Sequence, residues 1–319
     1  MKNDFVSLSD FSKSDILEML SIARWMKERK PSDVAPLAGK TAALIFEKPS
    51  LRTHVSFEVG ILQLGGKSVF LSQQNIGVAT RESVRDIAGV LSRYNDLIVA
   101  RTMKHETVEV LAQYSSVPVI NALTDLLHPC QIMADVLTLM ERNAFSERTK
   151  IAFIGDGNNV VNSWLEMAEK IPFHLSVACP KGYEPDKNIL DAAKKSGVSR
   201  VEVVHDPMDA ARDADVLYTD VWVSMGQENE AAARRKAFEG FQINDKLVSV
   251  ARQSCIVMHC MPAHRGEEIT ADVLDGERSI VFDQAENRLH VQKAVIAWLF
   301  GARRGGNSAT RSISAAATV

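Results

Sequence analysis

The chain has 319 residues, 46% hydrophobic and 24% charged, which is enough to build two α/β domains with separate cores. Its 37 Lys and Arg against 40 Asp and Glu leave a formal net charge of -3, so bulk charge excludes nucleic acid or an anionic membrane as partner. The beginning carries Lys2, Asp4, Asp10 and Asp15 rather than a signal-peptide core, and no apolar run reaches the ~20 residues that span a bilayer. Cys130, Cys179, Cys255 and Cys260 form no CxxC pair, which speaks against a zinc knuckle or a disulfide framework. The expectation is a cytoplasmic protein with reduced thiols.

In chain order, Ile16, Met19, Leu20 and Ala23 recur at helical spacing and predict an N-terminal helix. Strands are expected at 41–46, 68–71, 97–100 and 118–120, then at 151–154, 175–178, 201–204, 216–218, 256–259 and 279–282. Stretches such as 83–94 and 159–170 between them show helical periodicity. Strands alternating with helices predict an α/β protein with mostly parallel sheets flanked by helices. The helix 129–142 is followed by the polar stretch 143–150, so a first domain is expected at 1–142 and a second at 151–284. A last helix at 285–300 is expected to pack back on the first domain, and 301–319 to form a disordered tail.

Residues Glu47-Lys48-Pro49-Ser50-Leu51-Arg52-Thr53 form the turn from a buried strand into a helix. Free amides at a helix start, two hydroxyls and a forked guanidinium make an anion cradle. An ordinary helix cap uses the same hydroxyls. Arg101 follows the apolar run 97–100, at what should be the same sheet edge. In His128-Pro129-Cys130-Gln131, His128 can donate to a carbonyl oxygen and Gln131 can accept from an amide; a cap or surface role remains open for His128.

Gly155-Asp156-Gly157-Asn158-Asn159-Val160 resembles a dinucleotide fingerprint, but the sixth position is valine and no acidic residue ends the next strand. Asparagines at a helix start suit a small polar ligand better than a pyrophosphate. Asp220, in Asp220-Val221-Trp222-Val223-Ser224-Met225-Gly226-Gln227, can hold an ammonium. In His259-Cys260-Met261-Pro262-Ala263-His264, the histidines are five apart across a proline with no third ligand nearby, which argues against a metal site. Cys260 also reads as a structural thiol beside a buried strand.

Taken together, the segments 46–53, 128–131, 220–226 and 259–262 resemble the ornithine carbamoyltransferase family, in order and with similar spacing, over roughly Phe5 to Leu299. The resemblance implies that Ser50, Leu51 (by its backbone), Arg52 and Thr53 hold the phosphate of carbamoyl phosphate. It implies that Arg101 bridges phosphate and carbonyl, that His128 donates to the carbonyl oxygen, and that Gln131 and Arg288 complete the carbamoyl pocket. Asn159, Asp220, Ser224 and Met225 would bind the amino-acid end of L-ornithine. Cys260 would lie beside the δ-amine, with the backbone of Cys260 and Met261 touching the carbamoyl group. Arg101, His128 and Cys260 are the catalytic residues so implied, with no metal, cofactor or covalent intermediate.

The family's usual Ser-Thr-Arg-Thr stands here as Ser-Leu-Arg-Thr, and Gly77 occupies the place where many members carry a residue reaching a neighbouring subunit. Gln74 or Arg81 are the candidates to replace it. The family forms trimers, so a homotrimer or a multiple of it is the implied assembly. Rival readings are another amine acceptor (putrescine, N-acylated ornithine or aspartate), a catalytically silent paralogue, and a nucleotide-dependent oxidoreductase. Asp220 beside Ser-Met-Gly favours a free α-amine, and the joint presence of Arg52, Arg101, His128, Gln131, Cys260 and Arg288 argues against a silent protein.

Overall fold

The computed structural model describes residues 4–29, 35–73, 82–224 and 227–302. Gln74, Gly77, Arg81, Met225 and Gly226, and the expected tail from 303 onward, lie outside the described residues. Two compact units divide the chain, Met1–Leu137 with Glu286–Val319 and Thr138–Ala285.

In the first unit, helix α1 (Lys13–Arg29) precedes strand β1 (Thr41–Phe46), helix α2 (Leu51–Gln63) and strand β2 (Lys67–Ser72). Helix α3 (Val84–Tyr94), strand β3 (Leu97–Arg101), helix α4 (His105–Tyr114), strand β4 (Val119–Leu123) and helix α5 (Pro129–Glu141) follow. The four strands pair in the order β2-β1-β3-β4, all parallel. Strands β1 and β3 are almost wholly buried because helices cover both faces, so their sequences are unbroken apolar runs. Phe5 extends the sheet beyond β4: its amide donates to the Val119 carbonyl at 2.8 Å and its carbonyl accepts from Asn121 at 2.8 Å.

Two features of this sheet position a site. The chain leaves β1 towards β2 and then crosses back to β3, so strand order reverses between β1 and β3 and opens a crevice at their carboxyl ends. Phe46 pairs with Arg101, which sets both strand ends level, and the β3–β4 register slips between Ala100 and Arg101. Such irregularities re-aim side chains.

The second unit runs through strand β5 (Lys150–Ile154), helix α6 (Asn159–Ala168), strand β6 (His174–Ala178), helix α7 (Lys187–Ser196) and strand β7 (Arg200–Val204). Helix α8 (Pro207–Ala211), strand β8 (Val216–Thr219), helices α9 (Ala231–Ala237) and α10 (Asp245–Val250), strand β9 (Ile256–His259), and helices α11 (Ala271–Leu274) and α12 (Val281–Leu299) complete the elements. Its sheet is parallel with order β7-β6-β5-β8-β9, and strand order reverses between β5 and β8.

One expected strand is absent. At 279–282 only Ser279 bridges Val257, and α12 has begun by Val281. Ile280 and Val281 are buried as the head of a helix while Phe282 is 74% exposed. So short an apolar run does not distinguish a strand from a helix start. The helix itself packs back on the first unit as expected. Asn287 accepts from Lys27 at 2.8 Å, Lys293 donates to Gln63 at 2.8 Å and Trp298 donates to Glu18 at 3.0 Å. Among the described residues, no helix is long and apolar enough to cross a membrane.

Gly157 allows the turn after β5 to approach another chain segment. Its amide donates to the Tyr183 carbonyl at 2.9 Å, and a Cβ there would stand 2.3 Å from the Pro185 nitrogen and 2.6 Å from the Tyr183 oxygen. Backbone cannot yield as a side chain does. Gly157→Ala is therefore expected to destabilise the second unit by about 2–3 kcal/mol, read as a lowered denaturation midpoint.

Candidate active site

The first cluster lies at the β1/β3 reversal. Ser50 precedes α2 in an extended conformation, and its hydroxyl makes no capping hydrogen bond to the helix. Leu51, Arg52 and Thr53 form the first turn of α2, whose free amides and positive dipole end favour an anion. Leu51 turns its side chain outward, 75% exposed, so its amide is what it can offer. Arg52 is half-buried.

Thr53 is fully buried, and its hydroxyl oxygen accepts from Arg101 at 3.0 Å and from Arg288 at 2.8 Å. Two buried guanidiniums thus converge on one neutral acceptor. Burying two like charges together is costly, and an anion bound beside them lowers that cost.

His128 precedes α5 and caps it through its carbonyl, which accepts from Gln131 at 3.0 Å. Its imidazole is buried, and burial first, then the charges of Arg288 and Arg101, hold it well below the usual histidine range. It is therefore a neutral ring. Gln131 donates to Asp135 at 2.8 Å, while its Oε1 is buried with no hydrogen-bond partner. An unsatisfied buried acceptor is costly, and a ligand N–H would satisfy it. Between these residues, Cys130 is a different kind of group: burial pushes its thiol up to about 12, so it stays protonated.

The second cluster lies at the β5/β8 reversal. Asn158 caps α6, its Oδ1 accepting from Val160 at 3.0 Å and Val161 at 3.3 Å. Its Nδ2 donates to Asp220 Oδ2 at 2.7 Å. Asp220 Oδ1 accepts from the Val221 amide at 2.8 Å and from the Cys260 thiol at 2.7 Å. Asn159 is the first residue of α6 and half-buried; Ser224 is also half-buried, its amide donating to Gln227 at 3.0 Å.

Cys260 and Met261 follow β9 on a stiff support. Met261 has a left-handed φ of 56°, uncommon for a residue with a side chain, and its amide donates to His259 Nδ1 at 2.9 Å. His259 Nε2 meets Glu268 at 3.0 Å, with both side chains fully buried. The Met261 bond makes Nδ1 the acceptor, so the proton sits on Nε2 and is donated to the carboxylate.

Donor atoms of Asp220, His259 and Cys260 lie within 4.8 Å of one another, as do those of His264, Glu267 and Glu268. The first set is already joined by internal hydrogen bonds at both His259 nitrogens and at the Cys260 thiol. In the second, Glu267 pairs with Arg235 at 3.1 Å. The geometry suits protein contacts better than a metal centre.

Residues 3–141 match the carbamoyl-P binding domain of aspartate/ornithine carbamoyltransferases, and residues 147–299 match their Asp/Orn binding domain. The chain belongs to the aspartate/ornithine carbamoyltransferase family. It is 53% identical over 300 residues to the ornithine carbamoyltransferase of Chlorobaculum tepidum, covering 92% of this chain and 89% of that protein. The structure of ornithine carbamoyltransferase from Pyrococcus furiosus matches at a TM-score of 0.88 and 48% identity, over 93% of this chain and 96% of that one. The anabolic ornithine carbamoyltransferase of Campylobacter jejuni gives a TM-score of 0.89 at 41% identity, over 94% and 99% of the two chains.

Two residues of this carbamoyltransferase that sequence reasoning passed over belong to the second cluster. Asn158 makes a direct bond to Asp220. Asp156, buried one turn earlier, pairs with Arg234. Burial pushes its carboxyl up to about 6, with Arg234 opposing and Asp220 adding to the rise. The capping preference for asparagine was a signal for the first; nothing local marks the second.

The depressed histidine has a measurable consequence. An unfolded histidine takes up a proton near pH 6.5 whereas folded His128 does not, so stability is present above that pH and lost as pH falls below it. His128→Gln is expected to make the loss of unfolding free energy below pH 6.5 shallower by up to about 1.4 kcal/mol per pH unit, measured by urea titration at several pH values.

Proposed function

We propose that this chain transfers the carbamoyl group of carbamoyl phosphate to the δ-amine of L-ornithine, giving L-citrulline and phosphate. The observation that carries the reading is the convergence of Arg101 and Arg288 on Thr53 at the head of α2. This is a preformed cationic seat beside free helix amides, as an acyl phosphate requires. Ser50, Arg52, Thr53, Arg101 and the Leu51 amide take the phosphate. Neutral His128 donates to the carbonyl oxygen, Gln131 Oε1 accepts from the carbamoyl amide, and Arg288 completes that pocket.

Asp220, with Asn159, Ser224 and Met225, holds the α-amino-acid end, and Cys260 stands beside the δ-amine. The neutral amine attacks the carbonyl carbon, the carbonyl oxygen gains charge, and Arg101, Thr53 and His128 stabilise it. The carbon–oxygen bond to phosphate then breaks, and the attacking nitrogen gives up its proton to an oxygen of the departing phosphate. Fixed donors aimed at a developing oxyanion contribute about 3–4 kcal/mol each. In this reading, domain 1–142, with the helix 285–300, serves carbamoyl phosphate, and domain 151–284 serves ornithine.

The reading extends to a cytoplasmic homotrimer, or a multiple of one, working in arginine synthesis. An anabolic relative supports the direction. An apolar stripe on α2 (Leu51, Val55 and Leu62, each exposed) and the exposed Val69 and Phe70 of edge strand β2 support a face covered by a second copy.

The direct test is citrulline formation from carbamoyl phosphate and ornithine, with putrescine, N-acetylornithine and aspartate as parallel acceptors and a chelator present. Turnover of ornithine alone is expected; preference for another acceptor would overturn the assignment of Asp220. Arg52→Ala should weaken carbamoyl phosphate binding by about 100-fold or more, the loss of a forked charged contact to phosphate. Cys260→Ala should raise the ornithine KM about tenfold, one lost hydrogen bond, and leave the carbamoyl phosphate KM in place.

A further inference from the structure

Arg234, on α9, is 5% exposed, and among the described residues its hydrogen bonds and ion pairs go to none of the groups assigned above to substrate. Its guanidinium makes three kinds of contact. Nη2 pairs with the carboxylate of Asp156, in the turn after β5, and Nε donates to the Trp222 carbonyl at 2.6 Å, in the loop after β8. Its central carbon lies over two adjoining aromatic rings, 5.0 Å from the centroid of Tyr183 and 5.5 Å from that of Phe238. Trp222 in turn stacks on Phe238 with ring centroids 5.9 Å apart. The other charges that face this group are Glu230, 3.9 Å from Nη1 and largely exposed, and Asp220, which bears on Asp156.

The two segments that Arg234 joins carry Asn158 and Asp220. Asp156 is two residues before Asn158, and Trp222 is two residues after Asp220. We propose that Arg234 is a positioning residue for the amino-acid acceptor, tying the turn that carries Asn158 to the loop that carries Asp220 so that both meet the acceptor in register. This rests on the reading of the second cluster as the ornithine site.

The chemistry points to geometry as its purpose. A buried ion pair is a poor source of stability, since apolar residues in place of both partners would fill the same space without desolvating two charges. What the guanidinium supplies is a planar fork reaching a carboxylate and a carbonyl at once while lying over two aromatic rings. Lysine, with a single point charge, cannot do this.

The test is steady-state kinetics of the full chain and of Arg234→Met and Arg234→Lys, varying each substrate with the other saturating, alongside thermal melting. Positioning predicts that folded Arg234→Met, although its melting point falls because Asp156 loses its partner, keeps its carbamoyl phosphate KM within about twofold and raises its ornithine KM tenfold or more. Arg234→Lys should fail to restore ornithine KM although it keeps the charge. An unchanged ornithine KM in folded Arg234→Met overturns the proposal, as does equal loss in both KM values together with a collapsed melting point. If Arg234→Met does not fold, Arg234→Lys decides: parental ornithine KM refutes positioning, and a selective rise supports it. No ornithine turnover by the unaltered chain would remove the functional reading itself, whereas turnover with an unmoved KM in the variants would remove only the role of Arg234.

Discussion

In an open parallel sheet every strand ends at the same edge, and where the strand order reverses, the loops leaving two adjacent strands diverge and leave their ends uncovered. Each unit of this chain has one such place, between β1 and β3 in the first and between β5 and β8 in the second. Every polar cluster with a chemical reading sits at one of them. The turn 47–53 and Arg101 leave β1 and β3; Asn158 and Asp220 leave β5 and β8. The buried apolar strands fix backbone positions, so side chains carried just beyond them inherit that rigidity. This is why a catalytic site can be held by loops without being loose.

Much of this was legible in the sequence because parallel strands buried on both faces read as unbroken apolar runs. Segments 41–46 and 151–154 needed little more than that pattern, and polar residues directly after such runs marked the site. Failures came where the signal was not local. The run 279–282 is short enough to serve as a strand or as the buried head of a helix, and the packing of Ile280 and Val281 decided for the helix. Asn158 and Asn159 are indistinguishable by composition; which one faces Asp220 follows from the turn that makes Asn158 the cap of α6. Arg234 carried no signal at all, because its partner Asp156 lies 78 positions away. The Arg288–Thr53 bond, 235 positions apart, was reached only through family resemblance.

The two clusters differ in how they manage charge, and the difference matches the chemistry each is assigned. In the first, two cations lead: Arg101 and Arg288 share a hydroxyl, and their charge, with burial, holds the His128 imidazole well below the usual histidine range. A neutral imidazole beside two guanidiniums can donate a hydrogen bond to an oxyanion without adding a third positive charge for the free protein to bury. That cost would otherwise be borne before any substrate arrived.

In the second cluster the buried charge is carboxylate, and it is fixed rather than free. Asp220 accepts from Asn158, Val221 and Cys260 together, which fixes the orientation of its carboxylate. In the proposed reading, a carboxylate held in one orientation is the seat for the α-ammonium of an amino acid. Carbamoyl transfer needs this α-amine to stay charged and the δ-amine to lose its proton. In the proposed reading, Asp220 holds the first amine while the Cys260 thiol, a donor to Asp220, stands beside the second, so one hydrogen-bonded pair orients both ends of the acceptor.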